Sequence, residues 1–75
     1  MLEKLGICEQ LARAEGHVSL TERHIQEQEK RIALGVRRGW DTAASRDLLE
    51  TFRETLRLHV EGRDRLREEL AALVT

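Results

Sequence analysis

The sequence predicts an all-α protein, an antiparallel two-helix hairpin that packs like a coiled coil and pairs with a second copy into a four-helix bundle. Three observations predict this fold. Apolar residues recur at the heptad spacing of coiled-coil helices, the chain contains no proline, and the one cluster of helix-breaking residues near the middle of the chain is residues 35–42. Aromatic residues make up only 3% of the chain, which argues against a β-sandwich or barrel.

The first helix is predicted over about residues 2–38. Its strong apolar positions recur every seven residues, and the companion seam positions carry small or polar residues except at Ile7. A seven-residue period drifts by ~20° per heptad on a straight helix, so we expect a left-handed supercoil. The strong positions are Leu11, Val18, Ile25 and Ile32, and the companion positions are Ile7, Ala14, Thr21, Gln28 and Gly35.

The turn is predicted at residues 39–41. Gly39 suits the left-handed conformation that commonly ends a helix, because it has no Cβ to clash. The two arginines before it lie where cations favour the negative end of the helix dipole. Asp41 or Thr42 is expected to cap the next helix, and Trp40 is expected to pack over the turn as an apolar plug.

The second helix is predicted over about residues 42–73 and carries the fuller seam. Leu48 and Val60 widen its apolar stripe on the two sides. Because the connection is short, the two helices must run antiparallel. The seam residues, spaced alternately by four and three, are Ser45, Leu49, Phe52, Leu56, His59, Arg63, Leu66, Leu70 and Leu73.

A single hairpin of this size is not expected to enclose a dry core. Below about 70–80 residues one core seldom supplies more than about 3–5 kcal/mol, and the lone cysteine forms no internal disulfide. We therefore predict a homodimer, with an extended and marginally stable monomer as the alternative. The predicted core and dimer seam consists of Leu11, Val18, Ile25, Ile32, Leu49, Phe52, Leu56, His59, Leu66 and Leu70.

The three histidines are the sharpest polar feature. If the turn centres on residue 40, His59 falls opposite Thr21, between the levels of His17 and His24. A zinc site could be formed by His59, His24 and Glu22, but helical metal ligands usually come three or four residues apart, and nothing here matches that spacing. We expect no metal and no cofactor. His59 is predicted to hydrogen-bond Thr21 or Glu22, and the other two histidines are predicted to be solvated.

No catalytic constellation emerges from the sequence, so we predict that the protein is not an enzyme. Cys8 lies near the open end of the hairpin, away from every histidine, and is expected to be a small buried thiol. Glycines do not form a phosphate-binding loop. The paired carboxylates, such as Glu68 and Glu69, are expected to belong to a solvated, acidic helix face.

Basic and acidic residues nearly balance, 13 against 14, which argues against nucleic-acid and membrane binding. A basic group nevertheless gathers at the turn end and consists of Lys30, Arg31, Arg37, Arg38 and Arg46. Of these, Arg37, Arg38 and Arg46 are the candidate nucleic-acid contacts. Small RNA-binding regulators have a similar architecture of paired hairpins. Acidic residues three or four positions away are expected to pair with these cations. They are Glu27, Glu29, Asp47 and Glu50.

Nothing in the sequence predicts a membrane protein. The longest apolar run, residues 70–74, is far shorter than the ~18 residues of a spanning helix. The first residues lack the continuous apolar segment of a secretory signal. A single cysteine fits a reducing compartment, and we expect a cytoplasmic protein.

Two local motifs carry a family resemblance. The turn reads Gly-Trp-Asp-Thr at residues 39–42, and the second helix contains His-Val-Glu-Gly-Arg-Asp-Arg-Leu at residues 59–66. These residues resemble small, uncharacterised bacterial helical-hairpin proteins that share a Gly-x-Asp-Thr turn and a His-x-x-x-Arg-Asp-x-Leu second helix. The resemblance runs from His17 to Leu66, which is about two-thirds of the chain. It implies a hairpin and transfers no activity, and Trp40 departs from the smaller polar residue often found there.

The sequence therefore predicts a non-enzymatic, homodimeric helical hairpin that acts as an interaction or regulatory module, with a further protein partner left open. The alternative is a small nucleic-acid-binding regulator that uses its arginine-rich turn ends.

Overall fold

The structure, a computed structural model, describes residues 2–74 and consists of two helices joined by a short turn. Helix α1 spans Leu2–Arg37 and helix α2 spans Ala43–Val74. The helices pack against each other along their length and no strand occurs in the described part of the chain. The predicted all-helical hairpin is confirmed.

The turn closes α1 with a glycine cap. Gly39 has a φ of 74°, its N–H donates to the Val36 carbonyl at 3.2 Å, and the Trp40 N–H donates to the Gly35 carbonyl at 2.8 Å. This pair of bonds satisfies carbonyls that the end of a helix would otherwise leave open. The left-handed glycine predicted from the sequence is confirmed.

The start of α2 packs directly on the end of α1. The Asp41 carboxylate accepts a hydrogen bond from the Ala43 N–H at 3.0 Å, so Asp41 is the residue whose side chain caps α2. A Cβ on Gly35 would stand 2.9 Å from the Thr42 methyl carbon Cγ2, closer than two such atoms pack. A glycine at this position lets the two helices approach within the turn.

The core between the helices is thin. Val18, Ile32 and Leu49 are its buried apolar side chains, and within the described residues no large side chain is completely removed from solvent. The rod measures 57 by 14 by 14 Å, with a Cα radius of gyration of 17.1 Å, whereas a compact domain of this length has about 11 Å. One layer of side chains between two helices makes an extended molecule.

Three apolar side chains are more exposed than the sequence indicates. Leu73, a predicted seam residue, is 45% exposed, and Leu48, predicted to widen the apolar stripe, is 43% exposed. Trp40 covers Gly35 with one ring edge, yet 57% of the residue remains exposed. The expected apolar plug is wrong, because a two-helix turn offers the indole a single surface to pack on.

Candidate interaction surface

The predicted seam residues line the boundary between α1 and α2. Within one hairpin only a second helix covers them, and most therefore keep part of their surface in contact with water. Three of them, Val18, Ile32 and Leu49, are buried. The half-buried members are Leu11, Ile25, Phe52, Leu56, His59, Leu66 and Leu70.

Polar residues also take part in the boundary. Gln28 is only 4% exposed, and its side-chain amide Nε2 donates to the Ser45 backbone carbonyl at 3.0 Å. This bond links the two helices near the turn. The seam position of Gln28 indicated from the sequence that its amide is buried, and a buried amide requires a hydrogen-bond partner. Sequence alone did not identify the Ser45 carbonyl as that partner.

The histidines pair differently from the prediction. The rings of His17 and His59 lie 5.1 Å apart between centroids, and those of His24 and Phe52 lie 5.7 Å apart. The predicted hydrogen bond from His59 to Thr21 or Glu22 is wrong. Close packing of α2 on Gly35 moves the register by about one helical turn from that of a turn centred on residue 40, which places His59 beside His17.

One flank of the hairpin, which we call the groove face, carries shallow depressions along most of its length. The depression nearest the turn is bordered by Leu48 and Phe52, and the central one by the His17 and His59 rings. The third, the open-end groove, has a volume of about 500 Å³ and shares two lining residues with the central one. It is lined by Glu3, Gly6, Ile7, Gln10, Glu69 and Leu73.

Ion pairs cluster away from the turn. Glu15 and Arg67 join the two helices at 3.6 Å. On α2, Arg57 bonds Glu54 and, at 3.0 Å, Glu61. The hydrogen bond from Arg57 and its charge lower the pKa of the Glu54 carboxyl, and the same bond, with the charges of Glu54 and Glu61, raises the pKa of Arg57. These groups are fully exposed and screened by solvent, so they contribute little to folding.

The turn-end arginines lack the partners that the sequence predicted. In the described residues no carboxylate lies within 4.0 Å of Arg37, Arg38 or Arg46, all of which are exposed. Arg46 instead donates its Nε–H to the Thr42 hydroxyl at 3.0 Å, and the Arg38 guanidinium lies 5.3 Å from the centroid of the Trp40 ring. The predicted pairing with Glu27, Glu29, Asp47 and Glu50 is wrong.

Groups with catalytic or metal-binding potential stay dispersed. Over residues 2–74 no three His, Cys, Asp or Glu side chains come close enough to hold a metal ion. Cys8 is exposed, so the expectation of a buried thiol is wrong: at the open end, α2 covers only the seam side of α1. Neither helix, over the same residues, has the length and apolar character needed to cross a membrane.

These observations define the class of the molecule as an elongated helical hairpin with a thin seam, shallow depressions on both flanks and a basic tip. Comparisons of the chain with protein-family models, with curated proteins and with solved structures found no match.

Proposed function

We propose that the protein is a non-enzymatic helical hairpin that forms a homodimer and acts as an interaction or regulatory module. One observation carries the proposal. The hairpin exposes 5802 Å² of surface, whereas a compact monomer of 8.7 kDa exposes about 4,700 Å². A second copy packed against the seam would remove much of this excess from water and thicken the core.

The exposed apolar side chains support the same assembly. Large apolar groups on the surface are stabilised when another surface covers them, at about 25 cal/mol per Å² buried. Those exposed in the described residues are Leu2, Leu5, Leu20, Val36, Trp40, Leu48, Leu58, Leu73 and Val74.

The dimensions of the hairpin are also sufficient for a specific interface. One flank of the rod, 57 by 14 Å, offers about 800 Å², the area that each partner buries in a complex of standard size. A four-helix bundle formed in this way follows the packing rules of coiled coils.

Sedimentation equilibrium at micromolar protein concentration tests the proposal. We expect a species of twice the 8.7 kDa chain mass. A monomer at every concentration, with a sharp and concentration-independent thermal transition, would show that the hairpin is complete without a second copy and would remove the basis of the proposal.

A second candidate function is that of a small nucleic-acid-binding regulator, and the unpaired turn-end arginines favour it. Arginines free of carboxylate partners are available to phosphates. Retention on immobilised RNA that falls with salt, and that Arg37→Ala combined with Arg38→Ala abolishes, would support this function. Arg13→Ala is the matched control, because Arg13 is exposed, has no carboxylate within 4.0 Å in the described residues and lies far from the turn.

Three further proposals accompany the leading function. We propose a cytoplasmic location, supported by an exposed thiol at Cys8 that a reducing compartment would keep free. We also propose kinship with the bacterial hairpin proteins that share the turn and second-helix motifs, and a further protein partner for the assembled bundle.

A further inference from the structure

We infer that the two copies lie antiparallel, with the Trp40 tip of each hairpin seated in the open-end groove of the other. This inference rests on the proposed homodimer and specifies its interaction surface. It identifies a second copy of this chain as the occupant of the groove.

The tip has the composition of a docking element. Trp40 is 57% exposed, and the Arg38 guanidinium lies over its ring at 5.3 Å. Neither Arg37 nor Arg38 has a carboxylate within 4.0 Å in the described residues. An indole flanked by arginine is the kind of residue pair that anchors protein interfaces once it is covered.

The open-end groove is complementary to this tip. Its floor contains Gly6, Ile7 and Leu73, which match an aromatic ring, and its rim carries the carboxylates of Glu3 and Glu69. No cation lies within 4.0 Å of either carboxylate in the described part of the chain. The groove thus offers apolar contact and negative charge where the tip offers an indole and positive charge.

The charge distribution of the whole hairpin favours the same orientation. Residues 30–47, which form the turn end, contain five basic and two acidic side chains, and the rest of the chain contains eight basic and twelve acidic ones. A parallel pair would bring two basic tips together, and like charges in contact are unfavourable. An antiparallel pair places each basic tip beside acidic residues.

In this arrangement the second copy also covers the groove face. Residues 23 and 24 lie midway along the chain between Ile7 and Trp40, so the two-fold axis would pass near the contact between His24 and Phe52. Both rings belong to the groove face and are partly exposed in one hairpin. The second copy would cover them from the opposite direction.

Charge reversal provides the first test, with the dimer dissociation constant measured by sedimentation at physiological salt. In the antiparallel dimer Arg38 meets Glu69, so Arg38→Glu and Glu69→Arg should each weaken the dimer on the order of tenfold. The variant with both changes should restore it, because the pair is re-formed with its signs exchanged. Arg23→Glu, at an exposed position of α1 that lines none of the depressions, is the control and should leave the dimer unchanged.

A parallel dimer gives a different result in this experiment. There Arg38 faces Arg38 and Glu69 faces Glu69. Like charges therefore face each other across the interface in the parent protein and in all three variants. Equal dissociation constants for all of them would overturn the inference. Circular dichroism of each variant checks that the helices are intact.

Spin labels on the single cysteine provide the second test. Cys8 is exposed, and at 1.5 Å of rise per residue the two labels of an antiparallel dimer would be about 45 Å apart. In a parallel dimer they would be within about 20 Å. Compared with the two unmixed samples, a 1:1 mixture with the variant Cys8→Ser, Ala44→Cys, labelled at the turn end, should add a distance of about 20 Å in the antiparallel arrangement and of about 35 Å in the parallel one.

The outcomes separate the inference from the proposed function. A dimer with a short Cys8–Cys8 distance leaves the homodimer standing and overturns the antiparallel arrangement. A monomer overturns both. RNA binding by a monomer, lost in Arg38→Glu, would assign the tip to nucleic acid and likewise contradict its place in a partner's groove.

Discussion

His59 illustrates how a polar residue occupies an apolar position in this seam. It takes a heptad position between Leu56 and Leu66 and is half-buried, with its ring 5.1 Å from that of His17. A polar seam residue commonly specifies register and partner choice at some loss of stability. We predict that His59 specifies the register between the two helices, where its ring contacts that of His17.

Substitution of His59 by leucine tests this role. His59→Leu should keep the helical content and preserve or raise the melting temperature, because leucine buries more apolar area in the seam. Circular dichroism during heating, with and without a chelator, is the measurement. Unfolding of the variant, or a fall of several degrees in the melting temperature of the parent protein on chelation, would instead favour a metal site.

Gly35 is the residue at which the turn tolerates no side chain. In Gly35→Ala the new Cβ would press on the Thr42 methyl group at 2.9 Å, and we expect a net loss of about 1 kcal/mol in the free energy of unfolding, because overpacking outweighs the gain in helix propensity. Combining it with Thr42→Ser removes the methyl group and should recover the loss. Gly16→Ala, which meets nothing within 4 Å, should stabilise by up to about 1 kcal/mol.

At the scale of the elements, the first turn of α2 depends on Asp41. Its carboxylate accepts the Ala43 N–H and places a negative charge at the positive end of the helix dipole. Asp41→Ala should lower the free energy of unfolding by about 1 kcal/mol. Asp41→Asn keeps the acceptor and should retain most of that stability in urea denaturation. Equal losses in the two variants would mean that the side-chain hydrogen bond contributes nothing.

The two helices differ in how well their sequences predict their environment. In α2 the seam is rich in leucine, so periodicity alone identifies the face of the helix that packs against α1. In α1 the buried positions include Thr21, Gln28 and Gly35, which are buried because they occupy the seam positions three residues after Val18, Ile25 and Ile32. The heptad pattern identified these positions, whereas their hydropathy did not.

At the scale of the whole molecule, Phe52 provides a test of the proposed dimer. The ring is partly exposed in one hairpin and would be covered in the dimer. Phe52→Ala should therefore cost about 3–5 kcal/mol where the dimer is populated, and less at concentrations where the monomer prevails. Melting curves over a hundredfold range of concentration measure this dependence. Arg23→Ala, at an exposed position of α1, is the control. A concentration-independent loss for Phe52→Ala would contradict the dimer.

The sequence by itself determined the two helices, the glycine that ends α1 and the seam positions, because periodicity, breakers and caps are local properties of the chain. The antiparallel course followed from the short connection. Only the tertiary structure decided the register that joins His17 to His59, because it depends on how closely Thr42 approaches Gly35 across the turn. It also decided the exposure of Cys8 and the lack of carboxylate partners for the turn-end arginines, since side-chain pairing depends on distances in space, which spacing along the chain does not specify.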